Sequence, residues 1–252
     1  MKITHVRNAT SVVEYADHRF LIDPFFADKG AMPPFQNTTN QHLNNPLVEF
    51  PLPIENVTDV DAVIVTHLHP DHFDDKAKDT LPKDIPLYAQ NAEDKGTLEE
   101  AGFSNVFSYE KDVTIGGIKL VHTEGQHGSK DMTEVTGTVS GIVFTHPDEK
   151  TLYIAGDTIW YKDVQQAIDS HRPEVIVVNA GAAQFLEGGP ITMTKEDVLR
   201  THEESPESNI IVVHMEALNH CLLSREELNR YLESKDTNHK IVIPNDGDMM
   251  TY

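Results

Sequence analysis

The chain lacks features on which secreted and membrane proteins depend. Its 252 residues include one cysteine, Cys221, so no disulfide can form within the chain. No apolar run approaches the roughly 20 residues of a membrane-spanning helix. The first residues, MKITH, contain no apolar core of a secretory signal. We therefore expect a cytoplasmic protein without a membrane partner, in which Cys221 is a small, partly buried residue.

Positive charge is also scarce. The chain has 20 lysines and arginines against 41 aspartates and glutamates, a formal net charge of -21. Such a field repels nucleic-acid backbones and anionic membranes, so we expect neither as a partner. A small anionic substrate stays compatible with it, because bound metal ions reverse the local sign. The expected partner is a small-molecule substrate, and the sequence leaves open whether the chain forms a homo-oligomer.

Short predicted strands alternate with helical segments along most of the chain. The patterns predict early strands at 3–6, 11–15 and 19–22, a hairpin of 135–144 with 151–154, and a helix begun by a capping box at 224–227. Residues 27–53 contain five prolines and predict an irregular insertion, which inside a domain is usually functional. We interpret residues 1–252 as one α+β domain with layered sheets and helices outside.

The most informative segment is THLHPDH at residues 66–72, directly after the apolar run 62–65. With 14 histidines in the chain, some clustering by chance is expected. However, His127, Asp157 and His214 also follow apolar strands, and the ends of buried strands meet at one edge of a sheet. Imidazole and carboxylate groups together suit zinc, manganese or iron. The pattern therefore predicts a metal-dependent enzyme.

Two of these assignments have competitors. His122 competes with His127, which we favour because glycines on both sides permit the close approach of a ligand loop. His220 competes with His214, which we favour because it directly follows its strand. His220 is then a candidate catalytic residue in contact with substrate, or an ordinary loop histidine.

At this point the chain resembles the metallo-β-lactamase-fold superfamily of metal-dependent hydrolases, whose H-x-H-x-D-H signature residues 67–72 match in full. It is similar in particular to the branch that contains L-ascorbate-6-phosphate lactonase. That branch shares an early Asp-Pro, here Asp23-Pro24, and a late glycine-rich segment, here 180–194. The resemblance implies a four-layer αβ/βα sandwich, in which two packed mixed sheets have helices outside.

The resemblance also implies a site for two divalent metal ions, with zinc expected first and manganese or iron as alternatives. It assigns His67, His69 and His127 to one ion, Asp71, His72 and His214 to the other, and Asp157 to both. A shared carboxylate offsets the repulsion between two cations about 4 Å apart. Asp71 is in addition a candidate catalytic group that orients the nucleophile or passes on a proton.

The implied reaction is hydrolysis of a small ester, a lactone or a phosphorylated metabolite, by a hydroxide that bridges the metals. A phosphodiesterase or nuclease of the same fold and a non-catalytic metal-binding protein are the alternatives. In many relatives the first loop carries Gly-His-Ala, whereas this chain has Asn8 at the position of the histidine. Four side chains are candidate walls of the substrate pocket or ordinary core residues: Phe35, Trp160, Phe185 and Met193.

Overall fold

The strands form two sheets of seven. The computed structural model describes residues 1–235, 237 and 239–252. One sheet contains β1 (Lys2–Arg7), β2 (Thr10–Tyr15), β3 (His18–Ile22), β4 (Ala62–Val65), β5 (Leu87–Ala89), β6 (Val106–Ser108) and β14 (Met249–Thr251). The other contains β7 (Val113–Ile115), β8 (Ile118–Glu124), β9 (Ser140–Thr145), β10 (Leu152–Ile154), β11 (Val175–Asn179), β12 (Asn209–Val213) and β13 (Ile241–Val242).

Both sheets are mixed, and each has an antiparallel and a parallel half. The first has the order β14-β1-β2-β3-β4-β5-β6 and is parallel from β3 to β6. The second has the order β13-β12-β11-β10-β9-β8-β7 and is parallel from β10 to β13. The carboxyl ends of parallel strands meet at one edge, so the loops after β4, β10 and β12 can contribute to a shared site.

Helices cover the outer face of each sheet. Apolar side chains of α1 (Ile54–Thr58), α2 (Asp75–Thr80) and α3 (Ala92–Glu100) pack on the first sheet. Those of α5 (Lys162–His171), α6 (Lys195–Glu204) and α7 (Arg225–Leu232) pack on the second. A third apolar cluster fills the space between the sheets. The predicted four-layer sandwich is thus confirmed. Within the described ranges, no helix has both the length and the apolar character needed to cross a membrane.

The strand before the histidine-rich segment is buried on both faces. Ala62 and Ile64 of β4 belong to the cluster between the sheets, while Val63 and Val65 belong to the cluster under α1–α3. Alternate side chains of a strand point to opposite faces, so a continuous apolar run suits this position. Because β4 is central, the loop that follows it begins deep within the molecule.

The predicted hairpin begins later than the sequence indicated, and the prediction of a strand at 135–139 was wrong. The short helix α4 (Thr133–Thr136) occupies this part of the chain, and Gly137 with φ of +75° ends it. Val135 is 70% exposed and has no sheet to pack on, so its preference for strands is overridden. From Ser140 onward the strand is present and pairs with β10 as predicted.

Half of the predicted capping box at α7 is present. Ser224 Oγ accepts a hydrogen bond from the Glu227 amide at 3.1 Å, but the Glu227 carboxylate accepts one from Lys195 Nζ at 2.7 Å instead of turning back. A reciprocal capping box lies at the start of α6, where Thr194 and Asp197 each cap the other's backbone amide.

The predicted insertion at 27–53 is irregular, with two isolated bridges, from Met32 to Asn45 and from Thr38 to Phe185. It is nevertheless packed, because Phe35 and Val48 contact a small buried cluster that includes Phe25 and Leu218. The insertion therefore lies against the loop that follows β12.

Candidate metal centre

All seven predicted ligands converge at the edge where the parallel strands end. Residues 67–72 follow β4 in the first sheet, whereas His127, Asp157 and His214 follow β8, β10 and β12 in the second. Their ligand atoms form two groups, within each of which every pair of atoms lies within 4.8 Å. The first group is His67, His69 and His127, and the second is Asp71, His72, Asp157 and His214.

Asp157 lies between the two groups. Its Oδ2 is 3.3 Å from His72 Nε2 and 3.6 Å from His127 Nε2, which belong to different groups. Its Oδ1 is 3.6 Å from His214 Nε2 and accepts a hydrogen bond from Asn179 Nδ2 at 2.7 Å. This carboxylate therefore has the position that a ligand shared by two cations needs.

The geometry of the donor atoms fits divalent cations. His67 Nε2 is buried and has no hydrogen-bond partner among the described residues. His72 Nε2 and His214 Nε2 face each other at 3.3 Å, and His214 Nε2 lies 3.1 Å from Asp71 Oδ2. Ligands bonded at about 2.0–2.2 Å to a tetrahedral ion are separated by about 3.4 Å, close to these spacings. A cation held here would give His67 Nε2 the partner that the described residues do not supply.

Hydrogen bonds behind the ligands turn the ring nitrogens toward the centre. His72 Nδ1 donates to Asp23 Oδ2 at 2.9 Å, and His127 Nδ1 donates to the Ile191 carbonyl at 2.8 Å. Asp23 is itself held by the amide and the hydroxyl of Thr66, both at 2.7 Å. Such partners fix the tautomer that presents Nε2 to a metal.

Asn8, the departure from the family pattern, also supports the ligands. Its Nδ2 donates to the Asp71 carbonyl at 3.0 Å and to Asp71 Oδ2 at 3.3 Å. Its own carbonyl accepts from the amide of His214 at 2.8 Å. Asn8 is fully buried with φ of +57°, a conformation that asparagine tolerates. Asn8 thus supports two members of the second group, Asp71 through its side-chain amide and His214 through its backbone carbonyl.

The second group carries strongly shifted pKa values. Burial lowers the pKa of His72, but the carboxylates of Asp157, Asp23 and Asp71 outweigh it and raise the pKa to about 10. Asp157 likewise raises the pKa of His214 well above its usual range against the effect of burial. In return, burial raises the pKa of Asp71, but the neighbouring His72 and His214 lower it far more. Without a cation, protons on two imidazoles balance the buried carboxylates.

The first group behaves differently. Burial lowers the pKa of His127 to about 4, and burial together with the neighbouring His72 and His69 lowers that of His67 well below its usual range. Both rings are therefore neutral at pH 7, which is the form that binds metal.

A cavity of about 120 Å³ lies directly over both groups. Besides ligands and Pro70, it is lined by Phe35, Val135, Thr136, Phe185, Ile191 and His220. The rings of Phe35 and His220 meet edge to face, with centroids 4.7 Å apart. Burial lowers the pKa of His220 to about 4, so this residue is neutral at pH 7.

The structure separates the remaining candidates. Phe35 and Phe185 line the cavity, whereas Trp160 and Met193 follow the other alternative and pack as core residues in the cluster beneath α5–α7. His122 lies on β8 beside α5, where it lines a different depression.

Sequence reasoning missed several residues that hold the ligands: Asp23, Thr66, Asn179 and Cys221. Cys221, expected to be a plain structural residue, has its Sγ 3.6 Å from His214 Nδ1. Asp23 and Thr66 follow β3 and β4 directly, and Asn179 ends β11. A search for polar residues at the ends of all buried strands would have found these three.

The profile of the beta-lactamase superfamily domain matches residues 18–215. The chain belongs to this superfamily. It is 49% identical over its whole length to the UPF0173 protein YddR of Bacillus subtilis, which it also covers completely. It is 29% identical to a UPF0173 metal-dependent hydrolase of Xanthobacter autotrophicus, with 72% of each chain aligned. This chain is thus a metal-dependent hydrolase. Its similarity to the lactonase branch stays a prediction.

A solved structure matches this chain over its entire length. The isothiocyanate hydrolase from Delia radicum gut bacteria superposes with a TM-score of 0.97 at 42% sequence identity, covering 100% of this chain and 99% of that one. The two proteins share the whole architecture, including the insertion at 27–53.

Proposed function

We propose that this protein hydrolyses organic isothiocyanates with the help of two divalent cations. The observation that carries the proposal is the end-to-end likeness to the isothiocyanate hydrolase, at 42% identity and a TM-score of 0.97. Seven ligands in two groups give each cation its own set of donors, with Asp157 placed to serve both. Zinc is the first candidate for both ions because imidazoles dominate the first group.

The cavity supports a small, uncharged substrate. Phe35, Phe185 and Ile191 supply apolar walls, and a volume of about 120 Å³ suits a compact molecule. No lysine or arginine occurs among the cavity-lining residues that the structure describes. A phosphorylated metabolite or a phosphodiester would therefore lack the cationic side chains that usually bind phosphate oxygens.

The reaction needs one water molecule for each substrate. A divalent cation lowers the pKa of a bound water and so supplies hydroxide near neutral pH. Oxygen bonds to the central carbon of the N=C=S group and one water proton goes to nitrogen. The carbon–nitrogen bond then breaks as nitrogen takes the second proton, which yields an amine and carbonyl sulfide.

His220 and Asp71 are placed to handle these protons. His220 is neutral at pH 7 and lies on the cavity wall, so its ring can take a proton from the attacking water and return it to nitrogen. Asp71 is ionised and lines the same cavity, so its carboxylate can accept a hydrogen bond that orients the water.

The test is to load the purified protein with zinc, measure metal per chain by elemental mass spectrometry, and incubate it with benzyl isothiocyanate. We expect about two zinc ions per chain and equal amounts of benzylamine and carbonyl sulfide. His69→Ala should abolish turnover, and His220→Gln should lower kcat by about 10²–10⁴-fold with metal content unchanged.

A lactone and bis(p-nitrophenyl) phosphate serve as competing substrates. Hydrolysis of either one without any release of amine from the isothiocyanate would replace the proposal. Full metal loading without turnover of all three compounds would favour a metal-binding protein without catalysis.

A further inference from the structure

One buried side chain holds much of the insertion in place. Asn219 is 1% exposed and uses both ends of its amide. Its Oδ1 accepts from the Phe35 amide and from Asn45 Nδ2, each at 3.0 Å. Its Nδ2 donates to Thr38 Oγ1 and to the Thr39 carbonyl, each at 2.8 Å. All of these partners belong to residues 35–45, which we call the latched segment.

The backbone of Asn219 makes further bonds to the latched segment. Its amide donates to Asn45 Oδ1 at 2.8 Å, and its carbonyl accepts from Asn40 Nδ2 at 3.0 Å. A buried polar group that loses its partner incurs its full desolvation cost. The latched segment therefore cannot lift away while Asn219 stays buried.

The latched segment places both aromatic walls of the cavity. Phe35 begins it and packs edge to face on His220, the neighbour of Asn219 in the chain. Asn37 accepts a hydrogen bond from the Leu186 amide at 2.8 Å, and Thr38 bridges to Phe185. Displacement of the latched segment would thus disturb Phe35 and Phe185 together.

We propose that Phe35, positioned by Asn219, is the specificity-determining residue of this site. It selects isothiocyanates whose organic group is large and apolar over those with a short one. This inference rests on the proposed function, because it concerns the group attached to the reacting nitrogen. Phe35 lines the same cavity as the ligands Asp71 and Asp157, and its ring offers apolar contact area of which a benzyl group can bury far more than a methyl group.

Phe35→Ala tests the wall and Asn219→Asp tests the latch. Asn219→Asp keeps the shape of the side chain but turns an acceptor toward the Thr39 carbonyl. We expect each variant to raise KM for benzyl isothiocyanate about tenfold while KM for methyl isothiocyanate changes less than about twofold. The double variant should be no worse than Phe35→Ala alone, because both changes remove the same contact.

Hydrogen exchange gives a readout that needs no substrate. Amides of residues 35–45 should exchange faster in Asn219→Asp and in Asn219→Ala than in the unmodified protein, with metal content unchanged. Asn44→Asp makes the same chemical change at an exposed site of the insertion, and Phe107→Ala removes an exposed ring on β6. Neither control should alter the ratio of the two KM values. Should the Asn219 variants fail to fold, Phe35→Ala still tests the specificity.

Two outcomes would overturn the inference. The first is an equal rise in KM for both substrates in Phe35→Ala, and the second is an Asn219→Asp variant in which both the exchange rates and the KM ratio are unchanged. In either case the unmodified protein would still turn over benzyl isothiocyanate. If the unmodified protein released amine from neither benzyl nor methyl isothiocyanate, the proposed function would be overturned, and this inference with it.

Discussion

Asp23 belongs to neither ligand group, yet it fixes the orientation of the His72 ring. Its carboxylate accepts the proton of His72 Nδ1 and is held in turn by two bonds from Thr66. The His72 ring is therefore already oriented with Nε2 toward the centre before a metal ion binds. Partners of this kind commonly contribute 10- to 100-fold to metal affinity.

Asp23→Asn should consequently weaken zinc binding by about 10- to 100-fold. The replacement amide can still accept from the Thr66 backbone, but one of its ends no longer carries a lone pair for an imidazole proton. Competition with a chelator dye measures the affinity. Asp61→Asn is the matched control at the other end of β4, where Asp61 accepts from the Arg19 amide at 2.8 Å. Equal affinity in both variants would contradict this role of Asp23.

Asn8→Gly isolates the contribution of a second supporting side chain. Glycine adopts the φ of +57° without strain and keeps the carbonyl that binds the His214 amide, so only the bonds to Asp71 are lost. We expect weaker binding of one of the two ions, seen as two separate steps in isothermal titration with zinc. A single step with unchanged affinity would show that the Asn8 amide does not hold Asp71.

The convergence of the predicted ligands could be read from the sequence, but the residues that support them could not. Residues 67–72, Asp157 and His214 stand directly after apolar strands, so sequence spacing alone indicates that they meet. The contact of Asn8 with Asp71 joins residues 63 positions apart, and that of Cys221 with His214 depends on the course of a loop. Neither contact follows from a local pattern. Phe35 was a candidate wall from the sequence, but its bond to Asn219, 184 positions away, does not follow from a local pattern either.

Among the elements, those with strong periodicity or a buried run were predicted well. The strand β4 occupies the apolar run 62–65, and α7 begins within the predicted capping box at 224–227. The segment 135–139 was predicted wrongly as strand, because Val135 and the threonines around it favour strands in general while this stretch does not pair with a described strand. The insertion was recognised from its prolines, yet its packed course depends on side chains far away in the sequence.

The helix α6, which follows the cavity-lining residue Ile191, is stabilised by a capping box at its N-terminus. Thr194 caps α6 by accepting from the Asp197 amide, and Asp197 accepts from the Thr194 amide at 3.0 Å. Thr194→Ala should lower the free energy of unfolding by about 1 kcal/mol, or Tm by roughly 2–4 °C. Urea denaturation of the metal-loaded protein measures this.

Ser224→Ala at α7 is the comparison, since Ser224 accepts one bond and lacks the reciprocal partner. We expect Ser224→Ala to cost less than Thr194→Ala, and both variants to retain their metal. An equal cost for the two would mean that the Asp197 side of the box contributes nothing.

At the scale of the whole molecule, metal removal should lower the stability of both sheets together. Each ligand group combines residues that follow β4 with residues that follow strands of the second sheet. A ligand bound only by the folded state stabilises it by about 2.7 kcal/mol when present at 100 times its dissociation constant. Treatment with a chelator should therefore lower Tm, and added zinc should restore it.

The fall in Tm on metal removal should be larger at higher pH. In the metal-free protein the pKa of His72 is raised from 6.5 to about 10. The resulting stabilisation is complete below about pH 6.5 and is lost as pH rises toward 10. Bound cations replace those protons, so the loaded form is spared. Calorimetry at pH 6.5 and 8.5 should show a larger difference in Tm between loaded and stripped protein at pH 8.5. A smaller difference would mean that His72 is not protonated in the metal-free form.

Because the centre takes ligands from both sheets, neither sheet alone can assemble a complete set. During refolding, an ion cannot be fully coordinated until the loop after β4 meets the loops after β10 and β12. With cobalt in place of zinc, the visible absorption of the bound ion would thus report on the folding pathway. This absorption would record the moment at which the two halves of the sandwich dock, and not the earlier formation of strands within either half.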